Sequence, residues 1–231
     1  MLMGRHDCRK AEPYYHVALI AAQHSQDLDL LAYVLGSWSF CDVCDGRLSV
    51  GLQRIEQAHS LDATGISGTT LSWLSALASE LHARNGDEVA AQRSLDQAQT
   101  AMSRRDPAEP PWRGVGDFDQ ARLTGYEGGN LVLLHRPRDA EPVLVRSLTL
   151  LPPSRLKHRA TVLADLAATL AHPDFGEVEE ACRRATEALG IATRLQHAES
   201  IQRVWRVHQR LKAWHAHPAV RSLGEQLILS V

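Results

Sequence analysis

The segment GDEVAAQRSLDQAQTAM, residues 86–102, carries the pattern that decides the fold. Counted from Gly86, small or apolar residues stand at offsets of 5, 9, 12 and 15 residues. These residues are Ala91, Leu95, Ala98 and Ala101. Because the offsets differ by three or four residues, the side chains form one stripe along an α-helix. Small residues in such a stripe let a second helix approach closely, so the segment predicts a helix packed against a neighbour.

The same pattern recurs three more times along the chain. It begins at Gly46 (GRLSVGLQRIEQAHSLDA), at His135 (HRPRDAEPVLVRSLTLLPP) and at Gly176 (GEVEEACRRATEALGIA). The starts are separated by 40 to 49 residues. The residues at the four offsets are Gly51, Ile55, Ala58 and Leu61, then Ala140, Leu144, Ser147 and Leu150, then Ala181, Ala185, Ala188 and Ile191.

A second amphipathic segment precedes each of these helices. Apolar residues recur at helical spacing in LSWLSALASELHARNGD and in VLADLAATLAHPDFGE, which end near Gly86 and Gly176. Period-two alternation is missing, and aromatic residues make up only 5% of the chain. The sequence therefore predicts an all-α fold built from helical hairpins of about forty residues each.

These hairpins resemble tetratricopeptide repeats (TPR), in which the second helix carries a small, a bulky apolar and another small residue and is often followed by proline. Pro152 occupies the position of that closing proline. The spacing exceeds the 34 residues typical of the family, and His135 stands where the turn glycine belongs. The resemblance implies an α-solenoid of antiparallel hairpins that forms a right-handed superhelix.

We expect one TPR-like domain over residues 1–231. The final pair is expected to cap the array with a solvated outer face carrying Arg203, Arg206, Arg210 and Lys212. Proline and glycine in the linker SRRDPAEPPWRGVGDF exclude a continuous helix there. The expected parts are a partial repeat at 4–26, repeats at about 27–64, 69–103, 118–153 and 158–193, and capping helices at 196–230.

Particular phrases carry a closer resemblance. GRHDCRKAEPYYHVALIAAQHSQD, DFDQARLTGYEG, LTLLPPS and VLADLAATLA are similar to the C-terminal repeat region of actinobacterial helix-turn-helix (XRE-type) transcriptional regulators. In that family the repeat region is thought to sense a peptide, small molecule or protein partner and to govern the DNA-binding domain. This chain has no helix-turn-helix segment, so we expect either a fragment of such a regulator or a stand-alone reduced relative.

Composition excludes several classes of function. With 25 basic and 27 acidic side chains the formal charge is −2, so we expect no direct nucleic-acid binding by this segment. The N-terminus MLMGRHDCRKAEPYY lacks the apolar stretch of an export signal, and apolar runs such as 17–22 are too short to cross a membrane. A cytoplasmic protein without membrane contact is expected.

Cys41 and Cys44 have the spacing of a metal-binding or redox pair. A zinc site needs about four ligands, and neither a second CxxC nor a spaced histidine pair lies nearby. We interpret the two thiols as packing or solvent-facing groups, with a redox-sensing pair and a metal site as the alternatives. The histidines at 215 and 217 likewise lack further ligands. No metal, cofactor or catalytic constellation is predicted, so the chain is expected not to be an enzyme.

Binding on the concave face of the array is the remaining route to function. First helices line that face in a superhelix of hairpins, and residues projecting from them are the candidate contacts. An arginine among aromatic rings suits a peptide, because the rings supply area and the guanidinium binds a carboxylate. The candidates are Tyr33, Trp73, Phe118, Asp119, Arg122, Tyr126 and Asp165.

Two functions fit this reading. The chain is either the ligand- or partner-sensing region of a transcriptional regulator, or a stand-alone interaction scaffold without a small ligand. Both imply a protein or peptide partner. The end helices expose faces that either form a homodimer or cap the array, and the sequence does not choose between them.

Overall fold

The structure is a computed structural model that describes residues 8–62, 65–104, 110, 112 and 118–230. All regular secondary structure in these residues is helical, which confirms the prediction of an all-α fold. A short 3-10 helix, Leu211–Trp214, follows α10. The α-helices are α1 (Cys8–Ser25), α2 (Leu28–Cys44), α3 (Leu48–His59), α4 (Gly68–Arg84), α5 (Glu88–Ser103), α6 (Gln120–Leu133), α7 (Pro137–Leu150), α8 (Leu156–Leu170), α9 (Val178–Arg194), α10 (Ala198–Arg210) and α11 (Pro218–Leu229).

The aligned starting points share one backbone conformation. Gly46, Gly86 and Gly176 have φ values of 79°, 75° and 65°, in the left-handed region that ends many helices. His135 has the same conformation, with φ of 57°, although it carries a side chain. Histidine in place of glycine therefore leaves the turn geometry unchanged. A residue with a side chain is strained in this conformation, so the turn at His135 is less stable than a glycine turn.

Most of the predicted stripe on the second helices is buried, Leu61 and Leu95 are partly buried, and one residue is exposed. Ala91, Ala98 and Ala140 are at most 1% exposed. Leu150, which was predicted to belong to the stripe, is instead 44% exposed. The reason is that α7 ends at this residue, and the chain turns into an extended conformation at Leu151, which is 3% exposed and fills the interior.

The described residues form two compact units, one within Arg5–Tyr126 and one within Glu127–Val231. We call them the N-terminal and C-terminal units. In the N-terminal unit each helix from α1 to α4 packs on the next, and α2 also contacts α4. In the C-terminal unit α8 packs on α7, α9 and α10, and α9 also contacts α10 and α11. Helices thus contact both their chain neighbours and, in these cases, the next helix but one.

Glycine permits the closest helix contacts within each unit. A methyl group at Gly36 of α2 would lie 2.6 Å from Cη2 of Trp73 on α4. In the C-terminal unit, a methyl group at Gly128 of α6 would lie 2.6 Å from Cδ2 of Leu144 on α7. Neither position tolerates a larger side chain without movement of its neighbour.

The last helices correct one sequence expectation. Arg203 was assigned to a solvated outer face, but its side chain is only 10% exposed and binds Asp165 of α8. Arg206, Arg210 and Lys212 are exposed, as expected. The pattern of charges on α10 did not reveal this, because the acidic partner lies on another helix. Within the described helices, none combines the length and apolar character needed to span a bilayer.

Candidate functional site

The predicted contact residues, except Asp165, all lie in the N-terminal unit. Tyr33 comes from α2 and Trp73 from α4, two helices that contact each other. Phe118 and Asp119 precede α6, and Arg122 and Tyr126 lie on its first two turns. The side chains of Trp73 and Phe118 belong to one hydrophobic core, against which Tyr33 and Tyr126 pack.

Three aromatic rings form the centre of this region, and we call them the aromatic cluster: Tyr33, Trp73 and Trp112. Tyr33 stacks on Trp112 with ring centroids 5.1 Å apart and an interplanar angle of 10°. Tyr33 lies 5.1 Å from Trp73, and the two tryptophan rings are 5.6 Å apart. These separations are within the range of favourable aromatic pairs. The cluster therefore fixes the orientation of Tyr33 at its partly exposed edge.

Trp112 is anchored by a hydrogen bond that sequence reasoning missed. Its Nε1 donates to Oγ1 of Thr70 on α4 at 2.9 Å, and the residue is 2% exposed. Ser67 Oγ in turn donates its one proton to Oδ1 of Asp29 on α2 at 2.7 Å, and it lies 2.9 Å from Thr70 Oγ1. Trp112 lies in the proline-rich linker. A tryptophan in such a polar segment is usually mostly buried, and this was the signal in the sequence that could have predicted its packing.

The start of α6 presents a second pair of rings. Phe118 and Tyr126 have centroids 6.2 Å apart, and the guanidinium carbon of Arg122 lies 5.3 Å from the Phe118 ring centre. Asp119 Oδ1 accepts a hydrogen bond from the backbone N–H of Arg122 at 3.1 Å, so it caps the helix N-terminus. The residue predicted as a ligand contact thus has a structural role at the helix start.

Exposure divides these residues into a base and a surface. Trp73 and Phe118 are 7% and 3% exposed, so a ligand would reach them only after neighbouring side chains moved. Tyr33, Arg122 and Tyr126 are partly exposed. We call these three residues the aromatic surface. Tyr33 belongs to the aromatic cluster, and Tyr126 and Arg122 lie beside Phe118. Such rings can stack on apolar groups, and a guanidinium can bind a carboxylate.

Asp165 lies in the C-terminal unit, on α8. Nη1 of Arg203 on α10 donates to both of its carboxylate oxygens at 2.8 Å. Glu199 binds the same arginine, with Oε1 at 2.9 Å from Nη2. The side chains of Asp165 and Arg203 are 9% and 10% exposed. This carboxylate is therefore engaged in a buried ion pair between two helices.

The segment from Cys41 to Cys44 also contains a buried carboxylate. Asp42, between Cys41 and Cys44, is fully buried and binds Nε of Arg54 on α3. Its Oδ1 also lies 2.9 Å from Nη2 of Arg47. The Arg54 guanidinium covers the Trp38 ring at 3.6 Å. An acidic residue between the two cysteines was the signal that sequence reasoning did not use.

The thiols differ in exposure, and His217 has a local structural role. Cys41 is partly exposed and Cys44 is exposed, whereas Cys182 is buried, which raises the pKa of its thiol. His217 caps α11, with Nδ1 accepting from the backbone N–H of Ala219 at 3.3 Å. Among the described residues, no group of three His, Cys, Asp or Glu side chains could hold a metal ion. The expectation of no metal site stays a prediction.

Comparisons with known proteins do not narrow the choice of ligand. No family model matches this chain, and no curated protein matches it.

Proposed function

We propose that this chain is a non-enzymatic binding module built from TPR-like hairpins, and that its aromatic surface binds a peptide or protein partner. The hairpins are proposed to stack into a right-handed superhelix with the first helices on the concave side. Contacts of α2 with α4 and of α8 with α10 support this proposal, because first helices of successive repeats are neighbours in such an array. The left-handed turns at aligned positions support it further.

The observation that carries the binding proposal is the aromatic surface itself. Tyr33 is held by stacking on Trp112, and Tyr126 lies beside the buried Phe118. Rings fixed in this way lose little conformational entropy on binding, which is the property of interaction hot spots. Arg122 adds a planar donor for a carboxylate. A partner segment with an apolar side chain next to an acidic group or a C-terminus fits this chemistry.

The proposed biological role is the partner-sensing region of a transcriptional regulator. Its support is the sequence resemblance in the phrases quoted above. In this role, binding at the aromatic surface would change the array and thereby the activity of a DNA-binding domain. A helix-turn-helix coding segment in frame or adjacent to this gene is the expected observation. Its absence would favour the alternative proposal, an interaction scaffold without a small ligand.

The binding proposal is tested by affinity capture from an extract of the native cells, with mass spectrometry sensitive to proteins and short peptides. A captured partner is then measured against Arg122→Ala. We expect affinity to fall by about tenfold, as for loss of a charge-assisted hydrogen bond, with unchanged helicity. Arg146→Ala, an exposed arginine on α7, is the matched control. Equal affinity of the two variants would remove Arg122 from the site.

A further inference from the structure

A cleft of about 470 Å³ lies on the N-terminal unit, and none of the three residues of the aromatic surface lines it. Its floor is α4, one wall is α5, and the other wall is the end of α3. It has the size of a small-molecule site, for which about 300 to 1,000 Å³ is usual. The lining residues are His59, Asp62, Leu71, Ser75, Arg93, Asp96, Gln97, Thr100, Ala101 and Arg104.

Specific contacts hold the walls of the cleft on its floor. Ser72 of α4 donates from Oγ to the backbone carbonyl of Ala98 on α5 at 2.7 Å. A methyl group at Gly68 would lie 2.8 Å from the carbonyl oxygen of Ala101, so glycine is required for this close approach. On the other side, Ser75 Oγ lies 3.4 Å from Nε2 of His59. The cleft is therefore bounded by fixed elements.

The α5 wall offers charges of both signs in a row. Arg93, Asp96 and Arg104 line the cleft together with Gln97 and Thr100. At 1.5 Å rise per residue, Asp96 and Arg104 are separated by about 12 Å along the helix. Leu71, which is partly exposed, supplies apolar surface beside them. Burial lowers the pKa of His59, so its imidazole adds no positive charge at neutral pH.

We propose that this cleft binds a short peptide with free termini. The Arg104 guanidinium binds the peptide carboxylate and the Asp96 carboxylate binds its ammonium group. The separation of about 12 Å matches three or four extended residues at about 3.3 Å each. Gln97 and Thr100 lie between the charged groups. Gln97 can donate to the peptide backbone, and Thr100, whose hydroxyl donates to the Asp96 carbonyl at 2.8 Å, can accept from it. An apolar side chain of the peptide packs on Leu71.

The balance of charge favours this occupant over others. A purely anionic ligand would meet Asp62 and Asp96, and a purely cationic ligand would meet Arg93 and Arg104. A molecule that carries both charges, at opposite ends, satisfies both kinds of group. The inference goes beyond the proposed function, since it uses none of the three residues of the aromatic surface.

The experiment uses the full chain and the peptide Ala-Leu-Ala-Ala with free termini, followed by amide chemical shifts in a ¹H–¹⁵N NMR titration. We expect saturable shifts at residues 97–101 and at Ser75. Blocking either terminus, by N-acetylation or C-amidation, should weaken binding by about tenfold, as expected for loss of one charge-assisted contact. Equal binding of blocked and free peptides, or the lack of any saturable shift, would overturn the proposal.

Two substitutions test which side chain binds which end of the peptide. Arg104→Gln should weaken the free peptide but leave the C-amidated form unchanged, and Asp96→Asn should do the same for the N-acetylated form. Arg146→Gln and Glu225→Gln change exposed charges on α7 and α11 and serve as matched controls. If shifts instead centre on Tyr33 and Arg122, the cleft proposal fails while the aromatic-surface proposal stands.

Discussion

Asp42 and Asp165 are buried carboxylates, and each binds arginine side chains from another part of its unit. Removing one partner of a buried pair is costly because the other charge stays in a medium of low polarity. Loss of a partner from either buried pair is therefore expected to lower the free energy of unfolding more than loss of an exposed ion pair. The exposed pair Arg183 and Glu180 on α9 belongs to a different class, since water screens it.

We expect Arg203→Ala to lower the free energy of unfolding by about 3 kcal/mol, because Asp165 loses its bidentate partner. Urea denaturation followed by circular dichroism measures the change. Arg183→Ala is the control, since it breaks a surface pair, and its effect should be much smaller. If both variants lowered the free energy of unfolding equally, the pair of Asp165 and Arg203 would contribute no more than an exposed ion pair.

The turn at His135 provides a substitution that should stabilise the protein. His135 is exposed and has a left-handed φ, so His135→Gly should raise the free energy of unfolding by about 1 kcal/mol by relieving backbone strain. Gly86→Ala is the reverse experiment at the aligned turn, where an added methyl group meets no atom within 4 Å. It should lower stability by a similar amount. Urea midpoints of the two variants test the shared turn geometry.

His59 gives the stability a pH dependence of known sign. Burial lowers its pKa in the folded protein, although nearby Asp62 and Glu56 oppose this. Above the ordinary value of 6.5 both states are neutral at this residue and its stabilising contribution is complete. As the pH falls through the folded-state pKa, the unfolded chain holds the proton more tightly and stability is lost.

His59→Gln should therefore reduce the loss of stability between about pH 7.5 and pH 5.5, measured as the shift of the urea midpoint. His215→Gln, at an exposed histidine in the C-terminal unit, is the control. A variant that keeps the wild-type pH dependence would mean that His59 is not shielded from solvent in the folded state.

Among the helices, α4 connects most of the N-terminal unit. Ser67 caps its N-terminus by accepting from the backbone N–H of Thr70 at 3.2 Å, and its own N–H donates to Asp29 of α2 at 3.0 Å. The cap thus joins the start of one hairpin to the preceding one. Asp87 caps α5 in the same local way, accepting from Ala90 at 2.9 Å.

Alanine at each cap should distinguish the stability that comes from capping alone from the stability that comes from the contact of Ser67 with α2. Asp87→Ala should cost about 1 kcal/mol, the usual value of an N-cap, whereas Ser67→Ala should cost about 2 kcal/mol because the hydroxyl bond to Asp29 is also lost. Thermal or urea unfolding measures both. Equal costs would mean that the link from Ser67 to Asp29 adds nothing to stability.

At the scale of the whole molecule, the proposed repeat array makes a prediction about cooperativity. Stability in such an array is a sum of repeat and nearest-neighbour terms, so damage stays local. Gly128→Val should disturb the contact with Leu144 in the C-terminal unit. We expect amide hydrogen exchange to increase around α7 and to remain slow in α4. A uniform increase over both helices would favour a single cooperative core instead of an array.

Local patterns predicted much of this fold. Helical spacing identified the hairpins, and the buried alanines at 91, 98 and 140 followed from the stripe of small residues. The aligned starts at Gly46, Gly86, His135 and Gly176 correspond to left-handed turns. These features are predictable because helix period and turn conformation depend on residues close together in the chain.

The contacts that define the candidate sites depend instead on residues far apart in sequence. Trp112 binds Thr70 across 42 residues, and Arg203 binds Asp165 across 38. The sequence by itself determined the helices, their buried stripes and their turns, since these arise from short-range periodicity. Only the tertiary structure decided that Arg203 is buried, that Trp112 holds Tyr33 and that α3, α4 and α5 enclose a cleft. Such pairings depend on how helices pack, and neither partner carries a local signal of the other.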